Sequence, residues 1–153
     1  MWCPTGQTPG GAGCTVAETT VASVITDLGS KTAAAGTVYF TSSYFTNDAT
    51  FDGSTGALSA WANYELTLQG GWNGSTGGSY ALSGVSTFSV PITIEHWNNN
   101  VIVDSIALAN ATDSITLRNI NATGGQGSSV NASGNVTVEN SQFNVTTQPP
   151  KRR

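Results

Sequence analysis

Charge is what this chain has least of. Only 9% of its 153 residues are Asp, Glu, Lys or Arg, against roughly a quarter in an ordinary soluble domain. Cations are the scarcest. Of five basic residues three are the terminal Lys151, Arg152 and Arg153, so residues 1–150 set nine acids against Lys31 and Arg118, a balance of −7. Such a body lacks the clustered Lys and Arg that phosphate contacts need, which argues against nucleic-acid binding. No apolar run is long enough to span a bilayer, and the start lacks the charged-then-apolar layout of a signal peptide. Met1 is therefore read as the start of a mature fragment. A single histidine, His96, excludes a multi-histidine metal site within the chain.

Only two cysteines occur, Cys3 and Cys14, and they bracket the Gly/Pro-rich loop "PTGQTPGGAG". No further ligands accompany them, so a disulfide is a better reading than a metal knuckle or two free thiols. Closing so short a loop contributes roughly 3 kcal/mol on the chain-entropy view and implies an oxidising compartment. Abundant Gly, Ser, Thr and Asn predict a surface of hydroxyls and amides, as expected outside cells.

Residues 15–28, "TVAETTVASVITDL", read as the one helix. Thr15 and Glu18 stand in capping-box spacing, Gly29 follows as a stop, and Ala17, Val21, Val24, Ile25 and Leu28 form one apolar stripe. After it the pattern turns to short strands. Five segments resemble one another: "TVYFTS" around Tyr39, "ELTLQG" around Thr67, "PITIEH" around Thr93, "SITLRN" around Thr116 and "NVTVEN" around Thr137. Their centres lie 28, 26, 23 and 21 residues apart. That period is too long for hairpins and too short for βαβ units, and it suits the turns of a solenoid.

Alternation sorts these segments into faces. Val38 and Phe40, Leu66 and Leu68, Ile92 and Ile94, Ile115 and Leu117, and Val136 and Val138 are expected inside; Tyr39, Thr67, Thr93, Thr116 and Thr137 form one outward column. The next outward column, Thr41, Gln69, Glu95, Arg118 and Glu139, places Arg118 between two carboxylates. The expected fold is all-β, a right-handed parallel β-helix (β-solenoid) of about five turns with an N-terminal capping α-helix. It forms a single domain over 1–148, with a disulfide loop (1–14), the capping helix (15–28) and the turns (37–146), then a basic tail (149–153).

These strands, with the cysteine loop and helix ahead of "GTVYFTS", resemble the pectin-lyase-like superfamily, and more closely the secreted bacterial right-handed β-helix repeat proteins. The resemblance runs from about Cys3 to Thr146. It implies the fold above. Relatives that cleave acidic polysaccharides use Asp clusters that hold calcium, with Arg or Lys as base, or Asp sets for hydrolysis. The matching face here offers Glu95, Arg118 and Glu139 and no Asp cluster. Carboxylates two turns apart would lie about 9.6 Å from each other, near the upper limit for inverting hydrolysis. Arg118 between them disfavours a general acid, so an ion ladder is expected and no catalytic residue is assigned.

Other candidates follow from residue type. His96 reads as a hydrogen-bonded residue at a corner. The loop "NDATFDGSTG", with Asp48 and Asp52, suggests calcium but lacks the alternating ligands of an EF-hand; otherwise no cofactor is expected. Trp61, Trp72 and Trp97 are candidate glycan contacts, since exposed rings stack on sugar faces. Asn73, Asn110, Asn121, Asn131, Asn135 and Asn144 each satisfy the N-x-S/T sequon.

The last segment runs into "TQPPKRR" without a second helix to cover the stack, and an uncovered strand edge is a template for another strand. Either the chain continues into a longer protein, or this open end meets another subunit. The expected function is a non-enzymatic, extracellular or cell-surface structural or adhesive module, self-associating as a filament subunit. The alternative is a carbohydrate-binding or polysaccharide-degrading module.

Overall fold

The computed structural model describes residues 1–122 and 128–143. Its strands are β1 (Trp2–Pro4), β2 (Gly36–Thr41), β3 (Tyr44–Phe45), β4 (Ala49–Asp52), β5 (Leu66–Trp72), β6 (Ser86–Phe88) and β7 (Ile92–Glu95). There follow β8 (Val101–Leu108), β9 (Ser114–Arg118), β10 (Asn121–Ala122), β11 (Ser129–Ser133), β12 (Asn135–Glu139) and β13 (Gln142–Phe143). One α-helix, α1 (Val21–Leu28), lies between β1 and β2. The expected basic tail, 149–153, lies outside the described residues.

The strands form three sheets rather than one regular coil. A seven-stranded sheet runs β1-β2-β5-β8-β6-β3, with β11 joined to β8. A four-stranded sheet runs β12-β9-β7-β4, and β10 pairs with β13. The larger sheet is mixed: β1 pairs antiparallel with β2, whereas the β2–β5 and β5–β8 pairs are parallel. It also branches. Ser105 adopts φ 56° and bends β8, so that its first half pairs with β5 and its second with β6. Gly70 permits this bend, because a Cβ there would collide with the Ser105 carbonyl.

The expectation of a five-turn right-handed parallel β-helix is therefore corrected. The five similar segments do not stack as one column. "TVYFTS" and "ELTLQG" belong to the mixed sheet, where Tyr39 pairs with Gln69 and Thr37 with Thr67. "PITIEH", "SITLRN" and "NVTVEN" belong to the four-stranded sheet, whose first strand is β4, from the segment read as a calcium loop. An apolar–polar alternation reports a half-buried strand and says nothing about which sheet receives it. Tyr39 points away from the main core, opposite to Val38 and Phe40, but is buried there against Met1, Cys3 and Trp72 instead of being exposed.

The helix is shorter than its expected span of 15–28. Thr15 is not its cap: its Oγ1 accepts the Trp2 N–H at 2.9 Å and ties down β1. Thr20 caps instead, accepting from the Ser23 N–H at 3.1 Å, and Gly29 ends the helix. Val21, Val24 and Leu28 are buried, and α1 packs on β4. Cys3 and Cys14 are joined in a disulfide that fastens β1 over the outer edge of β2.

Both larger sheets send their alternate residues into one core. Val38, Leu68 and Val103 lie in register from the mixed sheet, and Phe51, Ile94 and Leu117 from the other. Phe40 meets Phe88 edge-on at 5.2 Å between ring centroids, and Phe45 stacks on Phe88 at 4.8 Å. The core thins towards β12. Val136 and Val138, expected inside, are 45% and 53% exposed although they stack in register on fully buried Ile115 and Leu117. Among the described residues no strand covers them from the far side.

Candidate functional site

The four-stranded sheet repeats one pattern on each strand. Ala49-Thr50-Phe51-Asp52, Ile92-Thr93-Ile94-Glu95, Ile115-Thr116-Leu117-Arg118 and Val136-Thr137-Val138-Glu139 lie in register. The alternate apolar residues face the core, which leaves two outward columns. One holds Thr50, Thr93, Thr116 and Thr137; the other holds Asp52, Glu95, Arg118 and Glu139. Thr67 lies outside the first column, on β5.

Arg118 joins three strands of the charged column. Its Nε donates to Glu139 Oε2 at 2.8 Å and its Nη1 to Glu95 Oε2 at 3.4 Å. These contacts hold the guanidinium more firmly protonated than usual, Glu139 contributing most and Glu95 least. Like charges meet only at the top, where Asp52 pairs with Glu95. There the next residue of the β7 turn intervenes.

His96 follows Glu95 with φ 57°, a left-handed conformation in which histidine is enriched over most non-glycine residues. The turn brings Nδ1 to 2.9 Å from Asp52 Oδ1 and Nε2 to 3.0 Å from the Asn119 amide nitrogen. With that amide donating to Nε2, the ring proton sits on Nδ1 and is donated to Asp52. Asp52 is held below the ordinary carboxylate range, chiefly by the Ser54 backbone N–H at 2.8 Å and then by the Ser54 side chain, with His96 a smaller contributor.

Asp52, Glu95 and His96 each offer one ligand atom, all within 4.8 Å of one another. Both imidazole nitrogens are engaged within the protein, and Glu95 meets Arg118, so a cation there would have to displace these partners. Asp48, the other member of the expected calcium loop, accepts from Thr50 Oγ1 at 3.0 Å and is not part of that group.

Trp61, Trp72 and Trp97, the candidate glycan contacts, are buried. Trp61 meets Trp2 edge-on at 4.8 Å between centroids. The Trp72 indole N–H donates to the Ser75 carbonyl and that of Trp97 to the Tyr64 carbonyl, each at 2.7 Å. Their faces serve the core rather than a sugar platform. The sequon asparagines Asn73, Asn110, Asn121, Asn131 and Asn135 are exposed. Four of them donate their amides within the protein: Asn73 and Asn110 locally, to the Ser79 carbonyl and Asp113, and Asn131 and Asn135 to Asp104 and the Ala111 carbonyl, far away in sequence. Asn144 lies outside the described residues.

One feature escapes a sequence reading. Asp52 tops the charged column, and "ATFD" does match "ITIE" and "ITLR" in pattern, but Asn47, Asp48, Gly53 and Ser54 around it read as loop. The lower edge, expected to be uncovered from the sequence, is so among the described residues: there β11 pairs only with β8 and β12 only with β9. A cleft of about 190 Å³ opens between these edges, lined by Leu117, Ser128, Ser129, Val130 and Val138.

Comparison with protein-family models, with curated proteins and with solved structures finds no match to this chain.

Proposed function

We propose that the protein is a non-enzymatic, extracellular structural or adhesive module that works by receiving a further strand on the edges of β11 and β12. The observation that carries this reading is the exposure of Val136 and Val138 on a strand whose far edge has no partner among the described residues, in line with a buried stack. Such an edge presents backbone donors and acceptors to an incoming strand, while the valines supply apolar area. The disulfide fits an oxidising compartment, and no described helix is long and apolar enough to cross a membrane. The charged column favours the same reading over catalysis, because Arg118 ties up both Glu95 and Glu139. For the carbohydrate alternative, the three buried indoles offer no stacking face.

Size-exclusion chromatography with light scattering, electron microscopy and attachment to cells or immobilised glycans test the proposal together. Association or attachment that is lost on placing a charge at Val136 supports it. A protein that neither associates nor attaches, or attachment indifferent to that charge, overturns it.

A further inference from the structure

The charged column is compensated unevenly. Arg118 stands between Glu95 and Glu139, whereas Asp52 and Glu95 are direct register neighbours on β4 and β7. Opposed like charges destabilise a ladder. The same level differs in a second respect. The left-handed residue after the strand is asparagine after β9 and β12, at Asn119 and Asn140, but histidine after β7, at His96. The one imidazole of the chain thus stands where two carboxylates meet directly.

We infer that Asp52, Glu95 and His96 form a binding site for a divalent transition-metal ion of the zinc type. Among the described residues they are the one group of three that can converge on a metal, each offering a ligand atom within 4.8 Å of the others. Metal bonds of about 2.0–2.1 Å set ligand atoms roughly 3–4 Å apart. His96 Nδ1 and Asp52 Oδ1, 2.9 Å from each other, are already near that range, and small side-chain rotations bring in Glu95. An imidazole nitrogen favours such an ion over calcium, whose ligands are oxygens.

The surrounding contacts accommodate the ion. It takes the place of the Nδ1 proton, which leaves to solvent. The ring then carries its proton on Nε2, and Asn119, 3.0 Å away, accepts it by turning its amide over to present Oδ1. A ligating imidazole is commonly fixed by an outer acceptor of this kind. Arg118 makes its shorter bond, 2.8 Å, to Glu139 and only a 3.4 Å contact to Glu95, so Glu95 turns without freeing the guanidinium. Asp52 keeps the Ser54 N–H. The His96 and Asp52 side chains are 40% and 35% exposed, which leaves the ion a way in. Bound there, it ties β4 to the bend after β7, at the end of the sheet opposite β12, and the site is independent of the function proposed above.

The test is a calorimetric titration of the tag-free whole chain with Zn²⁺ at neutral pH, alongside thermal melts. One saturable site per chain and a raised melting temperature are expected. His96→Asn, which keeps the residue type of the equivalent positions Asn119 and Asn140, is expected to weaken binding at least about tenfold and to abolish the rise with an unchanged circular dichroism spectrum. Glu95→Gln is expected to weaken binding likewise, and Asn119→Gly, which removes the outer acceptor, to weaken it roughly 10–100-fold. Asp48→Asn, just ahead of β4 but outside the group, should change nothing. Absence of a saturable site, equal binding in wild type and His96→Asn, loss of binding in Asp48→Asn, or Ca²⁺ bound as tightly as Zn²⁺ each overturns the inference.

Discussion

Arg118 Nε lies 2.8 Å from Glu139 Oε2 and binds the last strand of the four-stranded sheet to its neighbour. Both side chains are over 40% exposed, so solvent and salt weaken the pair. Glu139→Gln is expected to lower the melting temperature slightly in dilute buffer. In 1 M NaCl, where the Debye length is about 3 Å, the difference from wild type should vanish. A difference that persists at high salt would mean that packing, not charge, joins β12 to β9.

Ser86 is buried where the β2 ladder slips. Its Oγ accepts from the Gly71 N–H at 3.0 Å and lies 2.6 Å from the Thr41 carbonyl, to which it donates. That register break falls between Tyr39 and Thr41, and the hydroxyl satisfies backbone groups the ladder leaves out. Ser86→Ala strands them in the core and is expected to cost about 1–3 kcal/mol in urea unfolding.

Asp52 gives the fold a defined acid response. Its folded value lies below the ordinary 3.8, first through the Ser54 backbone N–H. A depressed carboxylate contributes stability that is fully present above its unfolded value and is lost as pH falls through the folded one. Wild type should therefore lose stability below about pH 4, and Asp52→Asn should show less of this loss while being weaker at neutral pH. Unfolding free energy measured from pH 2 to 7 checks both.

How much of this was legible in the sequence differs from element to element. Thr93, Thr116 and Thr137 carry their mutual register openly, because each sits between two aliphatics and is followed two residues later by a charge. The four-residue match at Thr50 is hidden by the Asn, Asp and Gly residues that flank it. The assignment of Tyr39 and Thr67 to the same column fails for a different reason. Strand alternation is a local property, while membership of a sheet depends on turns such as the left-handed Ser105 and on long-range partners such as β1, whose three residues lie in a Gly/Pro-rich stretch. Tryptophan poses the same ambiguity, since Trp72 and Trp97 have identical side chains whether buried or displayed.

Cys3 and Cys14 fasten β1, and β1 covers the β2 edge. Cys14→Ser is expected to cost roughly 3 kcal/mol on the chain-entropy view. It should also speed amide exchange in β1 and β2 while leaving β9 protected. Uniform loss of protection would instead show that the disulfide stabilises the whole fold as one unit.

Three residues at equivalent places after β7, β9 and β12 share a left-handed backbone: His96, Asn119 and Asn140, at φ 57°, 52° and 46°. Each bend redirects the chain out of the four-stranded sheet directly after the charged column, so the position takes a residue that tolerates the left-handed conformation. Asparagine does so, and the Asn119 amide also reaches His96 Nε2 at 3.0 Å. The two contributions separate on substitution. Asn119→Gly keeps the backbone and loses the amide, and is expected to cost no more than about 1 kcal/mol. Asn119→Val loses both and adds a β-branched side chain in a left-handed conformation, for about 2 kcal/mol or more. Thermal or urea unfolding of the pair decides the point: equal losses would place the whole contribution of Asn119 in its hydrogen bond, and a larger loss for valine would place most of it in the turn.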